Sequence, residues 1–168
     1  MSEFTQALIR DEATAARSLI DSIRVTHGFA IDKKGQIEQQ WRNTCGNQYF
    51  GEWLVQALKD GAVRMVDTTP DAARRKKLHT EYGFPRAGYE FTYVAVAVSA
   101  PPHYIVTDDI DFWEPKYKTA PAATKTATKQ GRKGAVYKYL TKKMGVRVGT
   151  IEQAISDHDF DNPNLIAP

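Results

Sequence analysis

"HYIVTDDIDFW", residues 103–113, decides how the rest of the chain is read. An apolar, β-branched run leads into three aspartates, and two aromatics close the stretch. "HYIVT" has the composition of a strand. Because it is nearly all apolar, it is read as a central strand buried on both faces. Asp108, Asp109 and Asp111 then stand at its carboxyl end, three like charges within four positions. In open α/β sheets, ligands bind outside the carboxyl ends of the strands. The acids therefore sit where a site belongs.

Outward from this stretch the chain alternates strands and helices. Phe4, Leu8, Ile9, Ala16, Leu19, Ile20 and Ile23 recur at three- and four-residue spacing and predict an amphipathic first helix. "FAID" (29–32) is a strand, ended by the Lys33-Lys34-Gly35 turn, and "QIEQQW" (36–41) opens a helix. A further helix from Phe50 carries Trp53, Leu54, Ala57 and Leu58 and stops at Gly61 in the left-handed region. "AVRMV" (62–66) is a strand. Thr69 and Pro70 supply an N-cap oxygen and a first-position proline for a helix through "DAARRKKLHTEY" to Gly83. "YEFTYVAVAVSA" (89–100) reads as a strand by its β-branched residues and as a helix by the face of Phe91, Val94, Ala95 and Val98. "TAPAATKTATKQGRKG" (119–134) has no apolar period and reads as a mobile loop. "AVYKYLTKKMG" is a helix closed by Gly145, "VRV" a strand, and "TIEQAI" a helix opened by a Thr150/Gln153 capping box. The alternation predicts an α/β fold with a mostly parallel sheet covered on both faces.

The totals narrow the function classes. The chain has 168 residues, 42% hydrophobic and 26% charged, as in ordinary globular proteins. No apolar stretch has the length of a membrane span, and no basic flank with an apolar core opens the sequence. A single cysteine, Cys45, excludes an internal disulfide and a Cys-based zinc site, and suits a reducing cytoplasm. The net charge of +3 is unevenly spread. Ten Lys or Arg and no acid fall between Lys116 and Arg147; taking those ten from 23 leaves 13 basic against 20 acidic residues elsewhere. A basic segment on an acidic body points to a polyanionic partner, although solvated lysines would give the same pattern.

Packed carboxylates raise one another's pKa unless a cation neutralises them. Mg²⁺ or Mn²⁺ is the natural counter-charge, because a hard ion takes oxygen ligands and retains water. The plainer alternative is that the acids cap the next helix or form an Asp-rich turn. Two further acids bear on the choice. Glu38 lies six residues past Asp32, and Glu90 would occupy the first turn of 89–100 if that segment is helical.

The run Thr107-x-Asp109-x-Asp111-Phe112 after an apolar strand resembles the late acidic motif of PIN-domain nucleases. "GYEFTYVAVAVSAPPHYIVT" is similar to their acid-led helix, loop and strand; "IDKKGQIEQQW" resembles their second motif, with its glutamate at Glu38. "MGVRVGTIEQAI" resembles the last strand and helix of that fold. The resemblance spans roughly residues 18–156. It implies a three-layer α/β/α, Rossmann-like domain over residues 1–156, with a basic loop at about 117–134 and a polar tail at 157–168. PIN domains open on a strand ending in an aspartate; no such strand is evident ahead of the first helix, and Asp32 is the candidate for that role.

The activity implied is Mg²⁺- or Mn²⁺-dependent cleavage of RNA, as in bacterial toxins of toxin–antitoxin pairs and RNA-processing enzymes. Asp109, Asp111, Glu90 and Glu38 would hold the metal, with Asp108 or Asp32 in support, and Thr107 would orient a carboxylate or the attacking water. Lys116, Lys118, Lys125, Lys129, Arg132, Lys133, Lys138 and Lys142 would steer the RNA. A catalytically incomplete PIN-like module that binds nucleic acid or a protein partner is the competing expectation, and an exposed sheet edge would also admit a second copy as a homodimer. A DNA-directed nuclease is a third.

Overall fold

The computed structural model describes residues 28–44, 48–68 and 71–158, and of residues 48–50 and 158 the backbone alone. The helix expected over residues 4–23, Cys45, the Thr69–Pro70 helix start and the chain beyond residue 158 lie outside the described residues. The chain divides into two units, Met1–Val66 with Ile151–Pro168, and Asp67–Thr150. Both mix helices with parallel strands, as an α/β chain should.

In the first unit β1 (Phe29–Asp32) is followed by α1 (Gln36–Thr44), α2 (Gln48–Lys59) and β2 (Val63–Val66). The strands pair parallel, Phe29 opposite Val63 and Asp32 opposite Val66. Parallel pairing requires a crossover, and the two helices supply it. Ile31, Ile37, Trp41, Trp53, Leu54 and Ala57 are buried. Phe29 stacks on Trp53 at 5.2 Å between centroids and meets Trp41 edge-on at 6.2 Å. Gly61 (φ +69°) ends α2 in the left-handed region, as its position in the sequence predicts. The final helix, α7 (Ile151–His158), belongs to this unit and runs past the point where the polar tail was expected to begin.

In the second unit α3 (Ala72–Tyr82) starts two residues later than expected. Its cap is Asp71, whose carboxylate accepts the Arg74 N–H at 2.8 Å. Gly83 closes it, and Phe84 plugs the turn at 1% exposure. The ambiguous segment is helical: α4 (Glu90–Ser99) buries Phe91, Val94, Val96 and Ala97. β3 (Tyr104–Val106) pairs parallel with β4 (Arg147–Gly149), Ile105 opposite Val148. Between them come two 3-10 turns, Ile110–Phe112 and Pro115–Tyr117, then α5 (Ala122–Gln130) and α6 (Ala135–Met144).

Two expectations need correction. Among the described residues β3 has one strand partner, β4, rather than one on each side, and Tyr104 and Val106 are only half-buried around a buried Ile105. Its apolar character serves the helices packed on it, α4 in particular. The segment 119–134 is not a structureless loop, because α5 occupies its middle. Alanine at 122, 123 and 127 favours helix without an apolar stripe, and the one buried residue is Thr128, whose hydroxyl bonds the Thr124 carbonyl at 2.8 Å. Among the described residues no helix is long and apolar enough to cross a membrane.

The turn after β3 is fixed by its aromatics. Phe112 and Trp113 are buried, Phe112 edge-on to Phe84 at 5.4 Å and Trp113 stacked on Tyr137 at 5.2 Å. The Trp113 carbonyl accepts the N–H groups of Val136 and Tyr137, and Glu114 Oε2 accepts that of Ala135 at 2.9 Å. The start of α6 is thus bolted to the acidic turn. Gly134 (φ +121°) permits this, since a Cβ there would overlap the Trp113 carbonyl.

Candidate metal centre

The ladder of β3 runs on into Thr107, whose N–H bonds the Gly149 carbonyl at 2.9 Å. The Thr107 hydroxyl then accepts the Asp109 N–H at 3.0 Å, and Asp109 Oδ1 accepts the Asp111 N–H at 3.0 Å. These two local bonds turn the chain sharply and start the first 3-10 turn. Ile110 and Phe112 go into the core on either side of Asp111, which is itself 2% exposed. The capping role weighed for these acids is therefore real for Asp109.

Glu90 arrives from another element, in the first turn of α4. Its carboxylate folds back over Gly88 (φ +125°), where a Cβ would overlap Glu90 Oε2. Glu90 Oε2 is buried with no hydrogen-bond partner. One oxygen from each of Glu90, Asp109 and Asp111 lies within 4.8 Å of the other two. Three carboxylates from two elements converge on one point.

The electrostatics follow from that convergence. The Asp109 carboxyl is pushed above the usual carboxylate range, first by burial. The Asp111 N–H bond pulls it down, the Asp111 charge pushes it up, and Lys118 and Lys129 pull it down again. Lys118 supplies the nearest positive charge, its Nζ 2.8 Å from Asp111 Oδ2. The Lys118 ammonium is in turn raised, chiefly by the Asp111 hydrogen bond and charge, with Asp109 and Glu90 adding. The Lys118 side chain is 69% exposed, so solvent screens the pair and the lysine can leave it.

The other candidates have different work. Asp108 binds Lys129 Nζ through Oδ1 at 2.9 Å and through its carbonyl at 3.2 Å. Asp32 belongs to the first unit, 1% exposed, and its two oxygens accept the Gln36 and Ile37 N–H groups at 3.0 and 2.9 Å, capping α1. Glu38, also in the first unit, pairs with Arg42 at 2.8 Å one turn along the same helix. Trp113 is fully buried, so it packs the turn and offers no face to a base. His79 and His103 each bond a backbone carbonyl, at 2.9 and 2.8 Å.

The basic residues also divide. Lys118 and Lys129 are turned onto Asp111 and Asp108. Lys116 lies in the second 3-10 turn, Lys125 on α5 and Arg132 in the turn after it. Lys133, Lys138 and Lys142 line a cleft together with Lys143, at the end of the basic segment, and with Lys77, which the sequence did not point to. Gly88 was missed as well; its one signal was a glycine two residues ahead of the acid.

The donor set is all oxygen, its charges are close and partly buried, and one buried oxygen lacks a partner. That chemistry fits a hard divalent cation, and the cluster of Glu90, Asp109 and Asp111 could hold one. No model of a known protein family, no curated protein and no solved structure matches this chain.

Proposed function

We propose that the chain is a Mg²⁺- or Mn²⁺-dependent endoribonuclease of the PIN-like type, with the three-layer α/β/α arrangement that the resemblance implies. The observation that carries the proposal is the convergence of Glu90, Asp109 and Asp111 to within 4.8 Å, at the carboxyl end of β3. Those three carboxylates would hold the cation, Thr107 and the Asp109 cap would keep the turn in shape, and Lys118 would release Asp111 as the cation arrives. When bound, such a cation polarises a phosphoryl oxygen and acidifies water. Asp32 and Glu38 are left to α1, and the nucleic acid is held by the basic surface of the second unit.

The test is cleavage of a labelled RNA by the purified protein with Mg²⁺ or Mn²⁺. Activity is expected in the wild type and lost by about a hundredfold or more in Asp109→Asn, the scale of removing one group that stabilises transition-state charge. Absence of cleavage with either metal, while RNA binds normally, sinks the enzyme reading.

One observation favours a second reading, a non-catalytic module that binds nucleic acid or a protein partner. Lys118 already neutralises Asp111 from within the chain. A calorimetric Mg²⁺ titration separates the two: no heat of binding, with RNA affinity unchanged in Asp109→Asn, selects the module.

A further inference from the structure

Within the second unit, a cleft of about 880 Å³ opens between α3, the segment 114–117 and α6. Its size falls in the range of roughly 300–1,000 Å³ typical of small-ligand sites. Five lysines line it, Lys77, Lys133, Lys138, Lys142 and Lys143, against one acid, Glu114. Glu114 accepts the Ala135 N–H through Oε2, while its Oε1 is buried without a hydrogen-bond partner. Among the described residues none of Lys133, Lys138, Lys142 and Lys143 pairs with a carboxylate, whereas Lys118 and Lys129 do. Lys77 pairs with Glu81 at 3.7 Å, so four of the five cleft lysines carry charge that no carboxylate among the described residues meets.

Two features define what that charge would meet. First, the start of α6 cannot serve as an anion site, because its N–H groups are spent: Ala135 on Glu114, and Val136 and Tyr137 on the Trp113 carbonyl. An anion must be held by the ammonium groups alone, which act as point charges without fixed direction. Such charges suit a chain of phosphates better than a single oriented one. Second, tyrosines interleave with the lysines. Tyr82 and Tyr139 pack at 5.1 Å with Lys77 Nζ 5.7 Å over the Tyr139 ring, and Tyr117 at the rim is 40% exposed. An exposed aromatic beside a row of lysines is the combination that holds single-stranded nucleic acid, phosphates on the cations and a base on the ring.

We infer that this cleft binds single-stranded RNA, with the backbone on Lys138 and Lys142 and a base stacked on Tyr117. Lys138 and Lys142 are one helical turn apart and so present their charges side by side on α6. Tyr117 is the chain neighbour of Lys118, which holds Asp111. The inference deepens the nuclease reading by naming where its RNA sits and rests on it for the choice of RNA.

The test is fluorescence anisotropy with a short labelled single-stranded RNA in EDTA, so that binding is measured without metal or cleavage. Lys138→Gln with Lys142→Gln is expected to weaken binding about tenfold or more and to flatten the salt dependence by about 0.7 in log–log slope per lysine. Lys59→Gln, at the end of α2 in the first unit and outside the cleft lining, is expected to bind as the wild type does. Tyr117→Ala is expected to lose roughly fivefold or more, and Tyr117→Phe to retain affinity. Inorganic polyphosphate serves as a base-free competitor whose binding should ignore Tyr117→Ala. Wild-type affinity in the double lysine variant, or an equal loss in Lys59→Gln, overturns the assignment of the cleft. RNA binding indifferent to Tyr117→Ala overturns base stacking and leaves a general polyanion surface. Cleavage absent with cleft binding intact removes the nuclease reading alone.

Discussion

Asp109 does two things with one carboxylate. Through Oδ1 it accepts the Asp111 N–H and starts the 3-10 turn; through its charge it joins Glu90 and Asp111. Burial is the main reason its pKa stands above the ordinary 3.8, and the Asp111 charge adds to it. The sign of the stability effect follows. Between 3.8 and the raised value, the folded chain keeps a proton that the unfolded chain has released. Stability therefore falls as pH rises through that window, and the loss is complete above it. Asp109→Asn keeps an oxygen for the cap and removes the charge. In EDTA near neutrality the variant is expected to melt higher than the wild type by roughly 1–3 °C, a screened effect below about 1 kcal/mol. The difference should shrink as pH drops toward 3.8. Scanning calorimetry across that pH range checks it; an Asn variant that melts lower at neutrality would mean the charge itself stabilises the fold. At this scale the sequence was informative about acids and silent about what surrounds them. Asp109, Asp111 and Glu90 were visible because acids at a strand end and a helix start converge in an α/β fold. Gly88 was not, since its role depends on where the Glu90 carboxylate folds back. Lys118 was hidden among ten basic residues that a sequence cannot separate into partners of acids and partners of ligands.

At the level of elements, legibility tracked how much apolar surface each one buries. α3 and α6 end in glycines with left-handed φ at 83 and 145, and both terminations were readable. α4 gave two readings because every second residue and every helical face of "FTYVAVAV" is apolar; the glutamate at its head and the core beneath it settle the outcome as helix. α5 was unreadable by apolar spacing because it buries only Thr128. It still matters to the site, since it carries Lys129 to Asp108 and so anchors the acidic turn from its outer side. Ala127 is an exposed position in this helix. Ala127→Gly is expected to cost about 0.8–1 kcal/mol, the intrinsic penalty for glycine inside a helix. Urea denaturation measures it. An unchanged midpoint would return residues 122–130 to the loop that their composition suggested.

For the whole molecule the division into two units sorts the candidate acids. The chain enters the second unit at Asp67 and leaves it at Thr150, so that unit is one continuous stretch within the other. The basic run from Lys116 to Arg147 and the cluster of Glu90, Asp109 and Asp111 all fall inside it. Composition showed the acidic body and the basic segment, but not that the acids of the cluster share a unit with the lysines while Asp32 and Glu38 do not. Asp32 and Glu38 have partners of their own within the first unit, and this makes metal binding a local question. A ligand that binds only the folded state stabilises what it binds, by about 2.7 kcal/mol at a free concentration a hundred times its Kd. With Mg²⁺ at that level, amides that exchange by opening the site should slow about a hundredfold. Hydrogen exchange read by mass spectrometry is expected to show this slowing over residues 107–113 and the first turn of α4, and no change over residues 29–44. Protection over 29–44 would bring Asp32 and Glu38 back into the metal site. Exchange indifferent to Mg²⁺ everywhere would mean that Lys118 holds its place on Asp111 and that the cluster is neutralised from within the chain.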